Sequence, residues 1–323
     1  MLKLLDRLDR GLVSNEELRE LVTIQLDKRL KWGYKPTNEE QLAFHLEFIN
    51  SLKNMDISGG NTEMINRELY EVPVPFLKLT FGKALKQSAC YFKHQSMTID
   101  EAEAAMHDLY CERAQIKDGL TILDIGCGQG ALIFYIAQRN LNLQNVKVIL
   151  ADVTKYETEA LYDRVIIIEA LEHMKNIQLF LSKISKWMQK DALLFVDHVC
   201  HNLFAEKFEA LDSDDWYSEY LFLKGSVTVI AASSLLYFQD DVSVLNHWIL
   251  NGKHMARTHE SWLKKLLNNR NAARDILKVC LGTEEAAEKC INHFRTFFLA
   301  MSEQYSCNNG EEWMISHVLF RKK

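Results

Sequence analysis

The sequence predicts an α/β fold with a doubly wound, Rossmann-like sheet. Two observations predict it. At 121–130 an apolar stretch runs into an acid and three alternate glycines, and a helix-compatible run follows. Strand-like stretches at 144–152, 162–169 and 192–198 then alternate with helical ones. This alternation is typical of a parallel sheet with helices on both faces.

Length and composition indicate a soluble globular protein of one elaborated domain or two. The chain has 323 residues, of which 48% are hydrophobic, and a net charge of −6. The negative charge argues against nucleic-acid binding, and no apolar run reaches membrane-spanning length. The first ten residues lack the apolar core of a signal peptide. Seven cysteines without a C-x-x-C pair favour a reduced, cytoplasmic protein.

We assign residues 1–60 to an N-terminal helical arm. Ser14 with Glu17 and Thr37 with Glu40 each have the spacing of a capping box, and apolar residues follow both at helical intervals. We interpret the arm as an extension that serves either packing or oligomerisation. The second of these interpretations implies a homodimer.

The α/β core is assigned to residues 61–202. Near its start, residues 69–76 contain two prolines and are expected to be extended, because the residue before a proline avoids the α region. Thr98 with Glu101 then predicts a helix that ends before Asp118.

The glycine turn is the first candidate binding site. Gly126, Gly128 and Gly130 allow the backbone to take positive φ and approach a ligand, and the helix behind them presents free N–H groups. The spacing differs from the G-x-G-x-x-G pattern of dinucleotide sites. Asp124, just before the turn, would repel a diphosphate but suits a cationic amine, such as the methionine end of S-adenosyl-L-methionine. An ordinary strand–turn–helix corner is the alternative.

The second candidate site follows the strand 162–169. Glu169, Glu172 and His173 lie where this strand ends, and ligands of open α/β sheets bind outside the carboxyl ends of the strands. Two carboxylates and an imidazole form a candidate acid/base set, because histidine titrates near neutrality and a carboxylate can hold its charge. The alternative is a solvated helix start, where the helix dipole favours glutamates.

The stretch 197–201 contains an acid, two histidines and a cysteine, all residue types that bind zinc. Neighbours on a strand alternate sides and do not converge on one ion. We therefore predict no metal site and interpret the stretch as a polar strand tip.

The last part of the chain, 203–323, is assigned to C-terminal helical insertions. Its first section, 203–251, combines aromatic side chains with acids, a composition that suits an organic cation, although ordinary packing explains it equally well. Phe294 and Phe297 lie among aromatic residues on one helical face, a pattern more often of core than of a pocket. The predicted elements are helices at 258–280 and 284–302, a turn at 308–310 and a final edge strand at 311–321.

Several longer stretches resemble one family. They are 29–36, 109–119, 171–176, 236–242 and 308–314, together with the glycine turn. Through them nearly the whole chain resembles the plant benzylisoquinoline alkaloid N-methyltransferases of the coclaurine and pavine type, which in turn resemble cyclopropane-fatty-acid synthases. The resemblance implies a class I methyltransferase fold with C-terminal substrate-cap insertions. It also implies S-adenosyl-L-methionine as cofactor and methyl transfer to the ring nitrogen of a small secondary or tertiary amine, an isoquinoline alkaloid.

The resemblance also implies roles for single residues. Glu169, Glu172 and His173 fall on the family's active-site carboxylates and histidine. His173 would take the proton of the substrate ammonium while the glutamates orient the cation. The implied ligand-binding residues are Asp124, Gly126, Gly128, Gly130, Asp152, Ser88 and Tyr91 for the cofactor, and Glu71, Phe294 and Phe297 for the substrate. His293-Phe294 stands where relatives often carry tyrosine and tryptophan, so the alkaloid itself stays open.

The chain departs from the family after the helix of the glycine turn. Only seven residues, 139–145, separate that helix from the next predicted strand, where the family has a further β-α unit on the order of 25 residues. Strand 146–151 would either lie beside the first strand and present Asp152 to the cofactor's ribose, or keep its family position and leave a gap in the sheet. Two further functions remain as alternatives: a catalytically impaired protein that only binds or dimerises, and a cyclopropane-type lipid methyltransferase.

Overall fold

One six-stranded sheet organises the protein. The computed structural model describes residues 1–58, 72–139, 146–222 and 226–323. The strands are β1 (Ile122–Ile125), β2 (Tyr162–Ile168), β3 (Met188–His201), β4 (Ile230–Ala231), β5 (Val242–Leu250) and β6 (Trp313–Lys322). Their order is β1-β2-β3-β6-β5, with β4 paired to the end of β3. The first four strands are parallel, whereas β6 is antiparallel to both of its neighbours.

Eleven α-helices lie within the described residues. They are α1 (Leu2–Asp9), α2 (Asn15–Gly33), α3 (Asn38–Lys53), α4 (Val74–Thr80), α5 (Ile99–Arg113), α6 (Ala131–Arg139), α7 (Ile177–Lys186), α8 (Trp216–Leu221), α9 (Lys253–Asn268), α10 (Arg270–Leu281) and α11 (Glu284–Gly310). None of these helices has both the length and the apolar character needed to cross a membrane.

Alternate side chains of the sheet enter two separate hydrophobic cores. In β2, Ile166 packs into the core that contains α2 and α9 to α11, whereas Val165 and Ile167 pack into the core that contains α3 and α7. Successive side chains of a strand point to opposite faces, so helices cover the sheet on both sides. The doubly wound α/β architecture predicted from the sequence is confirmed.

The helix starts lie where the capping signals predict them. Ser14, Thr37 and Thr98 are the N-caps of α2, α3 and α5, and each accepts a hydrogen bond from the backbone N–H three residues later. The predicted turn at 308–310 is also present, because Asn308 and Asn309 take φ of 44° and 63° at the end of α11.

The N-terminal arm is joined to the C-terminal part by a buried ion-pair cluster. Arg29 on α2 donates to Glu206 Oε2 and Asp215 Oδ2, both at 2.6 Å. The side chains of all three residues are at most 2% exposed. Such a cluster fixes α2 against the segment 206–215, because a buried charge without its partner is strongly unfavourable.

The predicted extended stretch 69–76 is partly wrong. Residues 74–80 form α4, with Pro73 as its N-cap and Pro75 in its first turn. Proline is tolerated there because the first N–H groups of a helix have no intrahelical partner. Residues 69–71 lie outside the described residues.

The last strand is interior, which corrects the predicted edge strand. β6 lies between β3 and β5, and β5, assigned from the sequence to an insertion, forms the edge instead. The polar side chains of β6 are paired inside the sheet. Ser316 Oγ lies 3.0 Å from His247 Nε2, and His317 Nε2 lies 3.5 Å from Asp197 Oδ2.

Residues 146–151 form no strand, so both sequence-based alternatives for this segment are wrong. The side chain of Val148 is 77% exposed and that of Leu150 is fully exposed. In the described part of the chain, β1 pairs with β2 alone. An added strand is stable when further strands or a helix cover its apolar face.

Candidate active site

The glycine turn between β1 and α6 has the backbone geometry that the sequence predicts. Gly126, Gly128 and Gly130 take φ of 74°, 53° and 78°, a region that other residues rarely adopt. A Cβ atom on Gly126 would come within 2.7 Å of Ala170 Cβ. The turn therefore packs directly against the residue that follows Glu169, and the two candidate sites are one site.

Asp124 presents a buried carboxylate beside this turn. Its Oδ1 atom is shielded from solvent and has no hydrogen-bond partner among the described residues. Burial raises the pKa of Asp124 to about 7, because a charged carboxylate is poorly solvated there. A cationic amine held at this point would satisfy the oxygen and restore the charge, so the residue fits the ammonium group of S-adenosyl-L-methionine.

Glu169 is held rigidly at the end of β2. Its φ is 44°, its N–H donates to the Asp197 carbonyl at 2.9 Å, and its Oε1 accepts from the Ala89 N–H at 2.7 Å. Burial and the neighbouring Asp197 carboxylate raise the pKa of Glu169 well above its ordinary value. This geometry aims the side chain at the loop that carries Ser88 and Tyr91.

Glu172 lies on the short 3₁₀ turn Leu171–His173. Its Oε1 accepts from the Val199 N–H at 2.7 Å, whereas its buried Oε2 accepts no hydrogen bond from the described residues. Burial raises the pKa of Glu172 to about 8. The Glu172 charge also contributes to the raised pKa of Glu169, so the two carboxyl groups are neighbours.

His173 completes the predicted acid/base set. It is largely buried, and this burial lowers its pKa below the ordinary value, with a smaller contribution from Lys175. At neutral pH the imidazole is therefore uncharged and can accept a proton. Glu169, Glu172 and His173 all follow β2 at its carboxyl end, and the glycine turn contacts this segment at Ala170.

The loop before α5 closes this site on a second side. Ser88 is 8% exposed, and its Oγ accepts a hydrogen bond from Lys86 Nζ. Tyr91 is half-buried, with its ring centroid 4.7 Å from that of His254. Because Ala89 contacts Glu169, the predicted methionine-binding residues Ser88 and Tyr91 lie near the carboxylates.

A buried polar network behind Glu169 was not predicted from the sequence. Tyr110 donates to Asp197 Oδ2, Lys86 Nζ donates to Tyr110 Oη at 3.2 Å, and Arg113 Nη1 lies 2.7 Å from His317 Nδ1. Burial opposes the charge of Asp197, but His317 and the other neighbours hold its pKa below the usual range. The nearest signal in the sequence was the polar composition of 197–201, which contains Asp197 but does not indicate its partners.

Tyr305 on α11 is a further residue that the sequence did not indicate. It is 4% exposed, and burial followed by the charges of Glu169 and Glu172 raises its pKa well above the ordinary value. Its phenol therefore lies near both carboxylates and stays protonated.

Phe294 and Phe297 belong to an aromatic cluster on the same helix. The ring of Phe294 lies 5.1 Å from that of Phe76 on α4, and the ring of Phe297 lies 5.8 Å from that of His259 on α9. Both side chains are only partly buried, so they can offer apolar surface to a ligand. Glu71, the third predicted substrate residue, lies outside the described residues.

Asp152, predicted to bind the cofactor, is engaged in its own exposed turn. Its Oδ1 accepts from Thr154 N–H at 2.9 Å and from Thr154 Oγ1 at 2.7 Å, and Lys155 Nζ lies 3.5 Å from Oδ2. These hydrogen bonds lower the pKa of Asp152. Its role toward the cofactor stays a prediction.

The chain resembles known proteins over nearly its whole length. A family model described as mycolic acid cyclopropane synthetase matches residues 61–149 and 141–303. The (S)-tetrahydroprotoberberine N-methyltransferase of Eschscholzia californica is 53% identical over 345 aligned positions, covering 99% of this chain and 98% of that protein. The (S)-coclaurine N-methyltransferase of Thalictrum flavum subsp. glaucum is 48% identical, covering 100% and 96%. A crystal structure of coclaurine N-methyltransferase bound to N-methylheliamine and SAH matches with a TM-score of 0.97 at 48% identity, covering 99% of both chains.

Proposed function

Because this chain belongs to the alkaloid N-methyltransferases within the mycolic acid cyclopropane synthetase family, we propose that it methylates the ring nitrogen of a benzylisoquinoline or tetrahydrobenzylisoquinoline alkaloid such as coclaurine. It is an S-adenosyl-L-methionine-dependent N-methyltransferase by its full-length likeness to such enzymes. The observation that carries the substrate proposal is the pair of buried glutamates beside a neutral histidine, next to the glycine turn. A cationic amine fits this arrangement better than a neutral lipid chain does.

The cofactor would be held from two sides. S-adenosyl-L-methionine supplies an electrophilic methyl group on a sulfonium when it is bound. The turn of Gly126, Gly128 and Gly130 allows close backbone approach, Asp124 would pair with the methionine ammonium, and Ser88 and Tyr91 would cover the methionine part. Asp152 is proposed beside the adenosine, after a movement of its turn.

The substrate nitrogen must lose a proton before it can attack the methyl group. A secondary amine is mostly protonated at neutral pH, and an ammonium has no lone pair to donate. His173, kept neutral by burial, is proposed to accept this proton. Glu169 and Glu172 ionise when the cation arrives beside them, since a nearby positive charge lowers a carboxyl pKa, and they then hold and orient the nitrogen.

The apolar body of the alkaloid is proposed to lie along α11. Phe294 and Phe297 offer ring faces at one end, and Tyr305 lies near the carboxylates further along the helix. Aromatic faces attract a cationic amine and also bury the apolar rings attached to it. Glu71 is proposed near the entrance.

Calorimetric titration with S-adenosylhomocysteine tests the cofactor site first. We expect micromolar binding by the unchanged protein and none by Gly128→Val, because Gly128 has a left-handed backbone and space for a side chain that would project into the binding turn. Gly282→Val is the matched control, since Gly282 also has positive φ and open surroundings but ends α10. Equal affinity of Gly128→Val and the unchanged protein would exclude this turn as the cofactor site.

Methyl transfer from S-adenosyl-L-methionine to a panel of isoquinoline amines then tests the reaction. Product formation supports the proposal. Cofactor binding without transfer to any amine would instead favour the catalytically impaired alternative. The lipid alternative has less support, because the full-length relatives at about half identity are named as alkaloid N-methyltransferases.

Three further points belong to this proposal and await measurement. A cytoplasmic location is expected from the seven cysteines without a C-x-x-C pair, and a homodimer is expected from the helical arm. The missing β-α unit also stays a prediction. The alignment with the Eschscholzia enzyme spans 345 positions, which is 22 more than the 323 residues of this chain. Some residues of that enzyme therefore have no counterpart in this chain, but the length alone does not place them at 139–145.

A further inference from the structure

Lys86 is a buried cation beside the proposed cofactor site. It is 3% exposed and lies in the loop between α4 and α5. Its ammonium makes two hydrogen bonds to hydroxyl oxygens, one to Ser88 Oγ and one to Tyr110 Oη at 3.2 Å. A lysine is rarely buried to this extent unless its charge has a use or a partner.

The directions of these hydrogen bonds are fixed by chemistry. A lysine ammonium can only donate, and an ionised carboxylate can only accept. Tyr110 must therefore accept from Lys86 and donate to Asp197 Oδ2. Ser88 Oγ likewise accepts from Lys86, so the hydroxyl hydrogen of Ser88 is left to point away from the ammonium.

The position of Ser88 relative to the glycine turn follows from contacts. Gly126 packs against Ala170, Glu169 precedes Ala170, and Glu169 Oε1 accepts from the N–H of Ala89. Ser88 is thus two short contacts from the turn. A ligand held by that turn meets, on the side of this loop, a hydroxyl donor backed by a buried positive charge.

We propose that Lys86 is a positioning residue that orients the Ser88 hydroxyl as a donor to the carboxylate of the methionine part of the cofactor. The inference rests on the proposed function and deepens it. A hydroxyl that accepts from a cation becomes a stronger donor, since hydrogen bonds in a chain polarise one another. The nearby positive charge also favours a bound carboxylate. Asp124 would then recognise the ammonium, and the Lys86–Ser88 pair the carboxylate, of the same α-amino acid group.

The anchoring of Lys86 explains why the pair can be rigid. Tyr110 is held by Asp197 on β3, and Asp197 lies opposite His317 in the register of β3 and β6. His317 is in turn contacted by Arg113 at the end of α5. The ammonium is therefore fixed relative to the sheet itself, and not only to its loop.

Two ligands that differ only in the carboxylate provide the test. They are S-adenosylhomocysteine and its decarboxylated analogue S-adenosyl-3-thiopropylamine, which keeps the amine. We expect Lys86→Met to weaken S-adenosylhomocysteine about 10- to 100-fold and the analogue less than about threefold, in calorimetric titrations. Lys83→Met is the matched control, because Lys83 is exposed in the same loop, and it should change neither affinity.

Ser88→Ala gives the second arm of the test. It should selectively weaken the carboxylate ligand, and the double variant should be no weaker than Lys86→Met alone, because the lysine acts through the serine. If Lys86→Met does not fold, Lys86→Gln replaces it. The glutamine keeps a donor for Ser88 without the charge and should retain part of the preference for the carboxylate ligand.

The outcomes separate this inference from the proposed function. Equal weakening of both ligands, or no weakening of either, would show that Lys86 is merely structural and would overturn the inference alone. Failure of the unchanged protein to bind S-adenosylhomocysteine would overturn the proposed function, and this inference with it. Loss of binding for the carboxylate ligand only, in Lys86→Met and Ser88→Ala alike, would support both.

Discussion

Glu172 is a carboxyl group that the protein keeps out of water beside the candidate site. One oxygen accepts from a backbone N–H and the other has no hydrogen-bond partner in the described part of the chain. Burial raises its pKa to about 8. The residue is therefore uncharged in the free protein at neutral pH, and ionises when a cation binds beside it.

This raised pKa predicts a pH dependence of stability. The folded state keeps the Glu172 proton up to about pH 8, whereas the unfolded chain loses it near the ordinary glutamate value. The stabilisation linked to this proton is complete below the unfolded pKa and is lost as the pH rises through the window to about 8. Within that window the free energy of unfolding should fall by about 1.4 kcal/mol per pH unit from this group.

Glu172→Gln should remove that part of the slope, because glutamine has the same shape and does not titrate. The measurement is urea unfolding at several pH values between 5 and 7.5, each limit about half a unit inside the window. Glu47→Gln is the control, since Glu47 is exposed, and it should keep the slope of the unchanged protein. Parallel pH profiles for Glu172→Gln and the unchanged protein would contradict the raised pKa.

At the residue scale, the sequence predicts the candidate acid/base and cofactor-binding residues better than the buried residues that support them. Glu169, Glu172 and His173 follow an apolar strand, and Asp124 precedes the glycine turn, so their position in the chain indicates their position in the fold. Lys86, Tyr110 and His317 come from three distant segments and meet only after folding. No local spacing marks such a network, because each member is 24 or more residues from the next.

At the scale of helices and strands, the arm and the C-terminal part depend on each other. Arg29 on α2 pairs with Glu206 and Asp215, and these side chains are almost fully buried. The sequence predicts α2 from its cap and from a stripe at helical spacing that includes Arg29, but it does not predict which carboxylates pair with that guanidinium.

Arg29→Met should destabilise the protein by about 3–5 kcal/mol, because two carboxylates would stay buried without their cation. Urea unfolding at pH 7 measures the loss. Arg7→Met is the matched control, since Arg7 pairs with Glu17 on the exposed surface and should cost less than about 1 kcal/mol.

A triple variant that combines Arg29→Met with Glu206→Gln and Asp215→Asn should recover part of the lost stability, because no charge is then left unpaired. A loss of under about 1 kcal/mol for Arg29→Met alone would mean that the cluster does not fix the arm.

Strands were harder to predict than helices for a related physical reason. Helix starts carry local signals, and Ser14, Thr37 and Thr98 all fulfil them. The position of a strand in a sheet is defined by its partners. The polar His317 is compatible with an interior strand because Asp197 lies opposite it. The segment 146–151 has the apolar composition of a strand and forms none, because a strand also requires a neighbour and a covering layer.

At the scale of the whole molecule, the sheet ends at β1 as far as the described residues go, and the segment 146–151 exposes apolar side chains. Val148 is 77% exposed and Leu150 is fully exposed. A fully buried valine or leucine side chain contributes about 1.5–3 kcal/mol to folding. At these exposures Val148 and Leu150 contribute almost nothing to folding, and exposed apolar surface of this kind favours association with another chain.

The double variant Val148→Lys with Leu150→Lys should therefore leave the free energy of unfolding within about 1 kcal/mol of the unchanged protein. Both side chains already lie in water, so a lysine in either position loses no packing and buries no charge. Urea unfolding gives the value, and sedimentation at rising protein concentration shows whether association through this exposed segment decreases.

Two controls bracket this result. Val279→Lys replaces a valine that is 88% exposed on α10 and should likewise be neutral, whereas Val165→Lys replaces a fully buried valine of β2 and should be severely destabilising. A loss of several kcal/mol in the double variant, close to that of Val165→Lys, would mean that 146–151 is packed in solution and that the sheet continues beyond β1. The exposed segment would then be a strand after all, and Asp152 at its end would lie next to the glycine turn.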